Sequence, residues 1–327
     1  IVSAWYPPPW ARDTHQPAGL RGTALLPHKM PRILDSLADY LTFLQERYGV
    51  QTRFFSFNEP DVGVEVRQTP AEHARFVQAM GETLNRRGLP TRVLLGDTAH
   101  GTPKALDYLR PALEDPGVRP HIGAIGFHTW RGCTPDILRA WSQAARHLKI
   151  PLIVAEGGPD AHLHEYPALR LEPWFQLQEA ELYVRLCAFA QPAALLHWQL
   201  NTDYSVLRGG GVYGETGPLE PTQRFWNLKQ LGLTPPGARA LPVTTKTPHL
   251  TAAAFQAPDN GPLAIHLVNV GGQCRTVLAG LPADIASLRA FITDATRGMA
   301  ALPEVPATRG IAEITLPAAS YLTLLSP

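Results

Sequence analysis

Arg53-Phe54-Phe55-Ser56-Phe57-Asn58-Glu59-Pro60 is an apolar run closed by an amide, a carboxylate and a proline. Ninety-seven residues after Glu59 the pattern returns, with Pro151-Leu152-Ile153-Val154-Ala155 closing on Glu156-Gly157-Gly158. Helical and strand-like patterns alternate between the two, so each Glu stands at the C-terminal end of a short, apolar strand in a series of βα units. In a (β/α) barrel that end is the rim where chemistry is done. Pro60 disfavours the helical region for the residue before it, which predicts an extended Glu59 at the rim. A single strand-end Glu is commonly a solvated loop residue; the pair in matching register carries the argument.

Working outward, strands are expected at 1–5, 53–58, 91–97, 122–128, 151–156 and 194–200. Helices are expected at 31–48, 71–87, 103–114, 136–149, 174–190 and 221–231. The first of these helices places Ile33, Leu34, Leu37, Leu41 and Leu44 at helical spacing, and the second ends at Gly88, a helix-terminating residue type. Alternation of this kind predicts parallel strands joined by right-handed crossovers. Six strands fall short of the eight that close a barrel. Beyond Gly232 the texture changes to short alternating runs, Leu250 to Phe255, Leu263 to Val270, Ala312 to Leu316 and Ser320 to Leu325, separated by Gly, Pro and Asn turns. That pattern predicts antiparallel β-structure. The expected organisation is therefore a (β/α)8 TIM barrel over 1–232, lacking its first strands, followed by an antiparallel β-sandwich over 233–327.

Composition narrows the function. The 327 residues carry 29 Lys and Arg against 28 Asp and Glu, a formal net charge of +1. So balanced a chain has no electrostatic basis for binding nucleic acid or an anionic membrane surface. No apolar stretch approaches the roughly 20 residues that span a bilayer. Three cysteines, Cys133, Cys187 and Cys274, cannot all pair within the chain, and Cys187 falls on an apolar helical pattern as a small buried hydrophobe.

Two carboxyls facing one another across a glycosidic bond supply what its hydrolysis needs: protonation of a poor leaving group and stabilisation of an oxocarbenium-like centre. Asn58, next to Glu59, is placed to hydrogen-bond a sugar hydroxyl. Further segments give the reading its family. Ser3-Ala4-Trp5-Tyr6-Pro7-Pro8-Pro9-Trp10, Asn58-Glu59-Pro60, His128-Thr129-Trp130, Glu156, Trp198-Gln199-Leu200 and Arg224-Phe225-Trp226-Asn227-Leu228-Lys229 with Gly237 occur in that order along nearly the whole chain. In them the chain resembles the retaining glycoside hydrolases of clan A, and within these family 30. The resemblance implies Glu59 as general acid/base on the fourth barrel strand, Glu156 as nucleophile on the seventh, and Asn58 at the sugar 2-hydroxyl. It also implies Trp5 and Trp198 lining the subsite of the attacked sugar, with His128 and Trp130 on the sixth strand.

The chain departs from the family's pattern in two ways. Trp130 stands where the family carries a Tyr whose hydroxyl touches the nucleophile, and Ile1 to Trp5 resembles the third strand of the barrel rather than the first. The second departure suggests further N-terminal residues in the native gene, without which the chain would be poorly stable or inactive.

The expected partner is a carbohydrate, a β-linked oligo- or polysaccharide or glycoconjugate, with neither nucleic acid nor membrane. No metal or organic cofactor is implied. Compartment is not legible in the residues; the family resemblance favours a secreted or periplasmic protein over a cytoplasmic one. Two other readings compete: a degenerate barrel that holds carbohydrate without cleaving it, and a metal-dependent hydrolase using His128, His162 or His164. The one-residue spacing of His162 and His164 is better explained by solvated loop histidines. Asp97, ending its strand, is expected to be structural and Arg131 a surface cation, while Trp10 fits a core residue and a sugar-facing aromatic about equally. Of the two acids, Glu59 is expected to hold a proton near neutrality, because its task is to donate one.

Overall fold

A computed structural model describes residues 1–13, 21–201, 204–212 and 214–327. Its contacts divide into two compact units, one of residues 1–157 with 192–196 and the other of residues 158–191 with 197–327.

The first unit is built on a sheet in the order β1 (Val2–Ala4), β2 (Phe54–Phe57), β3 (Arg92–Thr98), β4 (Ile122–His128), β5 (Leu152–Gly157) and β6 (Ala194–His197). The first five strands pair in parallel, each with its predecessor in sequence. The helices between them are α1 (Met30–Tyr48), α2 (Pro70–Arg86), α3 (Pro103–Tyr108), α4 (Arg110–Glu114) and α5 (Pro135–Leu148). Side chains alternate across each strand. On one face Phe54, Leu94, Ala124 and Ile153, one from each of β2 to β5, pack together with Ala194 of β6 against them. On the other, Phe55 and Phe57 meet Phe76 of α2 at 6.4 and 5.4 Å between ring centroids, and Phe127 lies 4.7 Å from the fully buried Trp141 of α5.

Local signals set the helix limits. Thr69 and Glu72 close α2 with a reciprocal capping box, and Gly88, at φ +67°, follows its C-terminus in the left-handed region that favours glycine. The helix expected over 103–114 is two helices separated at Leu109, because Pro111 has no N–H to offer the carbonyl of Asp107. The sixth strand ends at His197 rather than Leu200.

The second unit holds α6 (Pro173–Phe189), the two-stranded β7 (Leu207–Arg208) and β8 (Glu220–Pro221), α7 (Gln223–Leu231), and β9 (Arg239–Leu241) to β16. The remaining strands are β10 (Leu250–Gln256), β11 (Leu263–Asn269), β12 (Cys274–Ala279), β13 (Ser287–Thr293), β14 (Ala300–Thr308), β15 (Ile311–Leu316) and β16 (Ser320–Leu325), ordered β12-β15-β14-β13-β16-β11-β10-β9. One strand joins the layers: β14 pairs with β13 through Pro306 and with β15 at Ala307 and Thr308. The alternation read from sequence points one set of side chains inward, where Ile265, Leu267, Leu288, Ile292, Ile314, Leu322 and Leu324 share one apolar core.

A buried ion pair ties α6 to α7. The Arg224 guanidinium donates to both oxygens of Glu179 at 2.8 and 2.9 Å, with both side chains nearly solvent-free. Burial pushes the Glu179 carboxyl up, yet the Arg224 charge, with His197, brings it below its ordinary value. Truncating either partner strands a buried charge, so Arg224→Ala is expected to cost about 3–5 kcal/mol, whereas the apolar pair Glu179→Leu with Arg224→Met should recover most of it. Denaturant unfolding of the two variants checks this; equal losses would mean that the charge is not the cause.

Candidate active site

The rim of the first unit gathers four ionisable side chains from four strands and the loops that end them. Glu59 follows β2, Asp97 lies in β3, His128 ends β4 and Glu156 lies near the end of β5. Irregularities in pairing aim them. Between β3 and β4 the partners run Gly96↔Gly126 and then Thr98↔Phe127, leaving Asp97 as an extra residue at φ +52°. Between β4 and β5 they run Phe127↔Val154 and then His128↔Glu156, leaving Ala155 as the extra residue. Such bulges redirect side chains, and they concentrate beside functional sites. Gly96 makes the first one possible: at φ +97°, a Cβ there would sit 2.6 Å from the Gly126 carbonyl oxygen.

Glu59 differs from its expected extended form. Its φ is +44°, because its N–H donates to the Asp97 carbonyl and its own carbonyl accepts from the Gly63 N–H, each at 2.9 Å. Those two bonds outweigh the local preference, and a non-glycine residue held in this region is a strain seen most often at functional sites.

His128 is fully buried and faces carboxylates on both sides. Nδ1 lies 2.9 Å from Glu59 Oε1 and 3.1 Å from Glu156 Oε2, while Nε2 donates to Asp97 Oδ1 at 2.9 Å. One oxygen of Glu59, Nδ1 of His128 and one oxygen of Glu156 therefore lie within 4.8 Å of one another. Asp97 is anchored in turn, its Oδ2 accepting from Ser56 Oγ at 2.7 Å and Ser3 Oγ at 3.1 Å. Ionised carboxylates only accept, so with all three ionised the imidazole carries a proton on each nitrogen. Burial alone would depress the His128 pKa, but Glu156 and Asp97 hold it well above the ordinary 6.5.

The carboxyl that these surroundings push up is Glu156. Burial is the main cause, partly offset by His128, with the charges of Asp97 and Glu59 adding to it. Just beyond Glu59, Asp61 accepts the Ala99 N–H at 3.0 Å and is also raised, chiefly by burial. Behind the site His73 stays neutral, with burial lowering its pKa to about 4. Its Nε2 accepts the Gly96 N–H, which leaves the proton on Nδ1 for Gln68 Oε1.

These shifts set a pH dependence of stability. A histidine whose folded pKa is raised adds stability that is complete below 6.5 and lost as pH climbs through the folded value. The raised Glu156 acts in the same direction from 4.5 upward, since the native state holds that proton more tightly than the unfolded chain. Thermal unfolding should therefore fall from mildly acidic to alkaline pH, with a shallower slope in His128→Asn. An unchanged slope in that variant would remove His128 as its source.

The other site residues named from sequence fall in different surroundings. Asn58 is buried, and among the described residues neither its amide nitrogen nor its amide oxygen has a hydrogen-bond partner. Trp5 is half-buried and, with Trp10, Phe55, Phe57 and Ile33 of α1, lines an apolar cavity of about 230 Å³. Trp130 is half-buried two residues past His128. Trp198 belongs to the second unit, against the cluster of Leu163, Phe175 and Tyr204. His162 and His164 lie on the loop after β5, His164 with Nδ1 3.2 Å from the Tyr204 hydroxyl. Asp97, Ser3 and Ser56 are not singled out for this cluster by sequence; the one available signal is the Gly96-Asp97 step at a strand end.

No protein-family model matches the chain. No curated protein matches it in sequence either. Solved structures do match. A family 30 endoxylanase from Clostridium papyrosolvens C71 is 18% identical with a TM-score of 0.77, the match covering 100% of this chain and 79% of that one. The family 30 subfamily 8 xylanase from Clostridium acetobutylicum is 16% identical at TM-score 0.79, with the same coverage. The catalytic domain of family 30 xylanase C from Talaromyces cellulolyticus is 15% identical at TM-score 0.75, over 99% of this chain and 75% of that one. With its six-stranded parallel sheet and C-terminal antiparallel β-structure, the chain has the fold of the family 30 glycoside hydrolases.

Proposed function

We propose that the chain is a glycosidase, and that it hydrolyses β-linked O-glycosides with retention by double displacement. The observation that carries this is the single imidazole nitrogen within hydrogen-bond reach of both Glu59 and Glu156, which supports a paired role for the two carboxyls. One oxygen of each lies within 4.8 Å of the other, which favours the retaining separation of about 5–5.5 Å over the longer inverting one.

In the first step a Glu156 oxygen attacks the anomeric carbon as the bond to the leaving oxygen breaks, and that oxygen takes the proton of Glu59. In the second, Glu59 removes a proton from water, the hydroxide oxygen bonds to the anomeric carbon and the Glu156 ester bond is released. His128, fixed by Asp97, orients both acids. The amide of Asn58, without a partner among the described residues, is assigned to the sugar 2-hydroxyl, and Trp5 and Trp130 to sugar contacts. The catalytic portion is assigned to 1–232 and the β-sandwich to 233–327.

The solved neighbours named above are xylanases, which supports a β-linked polysaccharide or a fragment of one as substrate. The test is a panel of aryl β-glycosides, followed by a 2-deoxy-2-fluoro glycoside of the best sugar with peptide mass mapping. Glu156 should carry the label and the released sugar should keep its β configuration. Label on another residue, or an inverted product, would rule the mechanism out; sugar binding without turnover across the panel would favour the non-catalytic barrel.

A further inference from the structure

We propose that Glu59, His128 and Glu156 form a binding site for a divalent transition-metal ion of the zinc class, and that its occupancy switches hydrolysis off. The switching rests on the function proposed above; the binding does not.

The first argument is geometric. A four-coordinate zinc ion with bonds near 2.0–2.1 Å holds its ligand atoms about 3.3 Å apart. His128 Nδ1 already stands 2.9 Å from one Glu59 oxygen and 3.1 Å from one Glu156 oxygen, and all three atoms fall within 4.8 Å of each other. These spacings bracket the one that three corners of such a tetrahedron require. The fourth is left to water, as in open zinc sites.

A second argument comes from the far side of the imidazole. Nε2 donates to Asp97 Oδ1, and Asp97 is held by Ser56 and Ser3. A carboxylate on the opposite ring nitrogen is the arrangement that fixes a metal-ligating histidine, because it settles the tautomer and leaves the other nitrogen as the donor. Here the nitrogen left over is the one facing both glutamates.

Charge gives the third. Two carboxylates on a neutral imidazole present two negative charges, matched by a dication, in a place where Glu59 and Glu156 are 7% and 6% exposed and His128 is closed to solvent. Mixed nitrogen and carboxylate donors suit zinc and its first-row neighbours better than magnesium or calcium. The ion would take the place of the proton on Nδ1 and draw an oxygen from each glutamate. Neither acid could then attack carbon or deliver a proton, so the bound ion blocks the reaction.

Calorimetric titration of the metal-stripped protein with zinc chloride is the test, with cobalt(II) as a spectroscopic substitute whose visible absorption reports tetrahedral coordination. Expected are one ion per chain, an intense tetrahedral cobalt band and loss of aryl glycosidase activity in step with occupancy. His128→Gln, checked for folding by circular dichroism, should lose the band, and Asp97→Asn should weaken binding by about 10–100-fold. The double variant His162→Ala with His164→Ala should bind as the parent does. Binding that survives in His128→Gln and in Glu156→Gln, the absence of any stoichiometric site, or activation by zinc would overturn the proposal. If the hydrolytic reading fails instead, stoichiometry and cobalt spectrum still report on the site; if only the metal site fails, turnover persists undiminished in zinc.

Discussion

Glu156→Ala is expected to abolish turnover of β-glycosides, a fall in kcat on the order of 10⁴-fold or more, because the covalent step loses its nucleophile. Glu156 is buried with one oxygen 3.1 Å from His128 Nδ1, so truncation leaves a small cavity where the carboxylate stood, beside an imidazolium. A small anion should fit there. Azide added to the variant with an activated aryl β-glycoside should attack the anomeric carbon from the vacated side and yield the α-glycosyl azide. Product analysis by proton NMR reads the outcome. A folded Glu156→Ala protein with undiminished turnover would remove this residue from the nucleophile's role.

Glu59→Gln is expected to act differently on the two half-reactions. Substrates with poor leaving groups should lose about 10²–10⁴-fold in kcat/KM, the usual worth of a positioned proton donor. An aryl glycoside with a strongly acidic phenol needs no such donor and should still form the glycosyl-enzyme, but its release should slow for want of a base, so a burst followed by a slow steady state is expected. The pH profile adds a sign. The wild-type ascending limb reports deprotonation of the nucleophile and, with Glu156 raised by its burial, should lie above 4.5. The descending limb reports loss of the donor's proton. In Glu59→Gln the first limb should persist and the second should disappear for acidic leaving groups. A bell of unchanged shape would mean that another group supplies the proton.

Both effects trace to an arrangement that the sequence only half discloses. Glu59 and Glu156 are legible because each closes an apolar run, and that pattern is local. Asp97 is less so: nothing in Leu94-Leu95-Gly96-Asp97 says that its carboxylate meets the imidazole of His128, 31 residues away, or the hydroxyl of Ser3, 94 residues away. The positive φ of Glu59 runs against its expected extended form, since a bond to the distant Asp97 carbonyl, with a local one from the Gly63 N–H, outweighs the preference imposed by Pro60. The burial that raises Glu156 is hidden from the sequence for the same reason. Its local residues say nothing of the desolvation or of the charges of Asp97 and Glu59 that act on it.

The residues by themselves determined the alternating βα order, the helix end at Gly88, the antiparallel character of the chain beyond Gly232, and the two strand-end glutamates. Each of these depends on periodicity, capping or turn chemistry within a few residues. Tertiary structure alone decided which strand ends meet, where the bulges at Asp97 and Ala155 fall, and that one buried imidazole holds two acids together with a third behind it. Those outcomes depend on pairing register and on desolvation by residues far apart in the chain, and no window of sequence contains either.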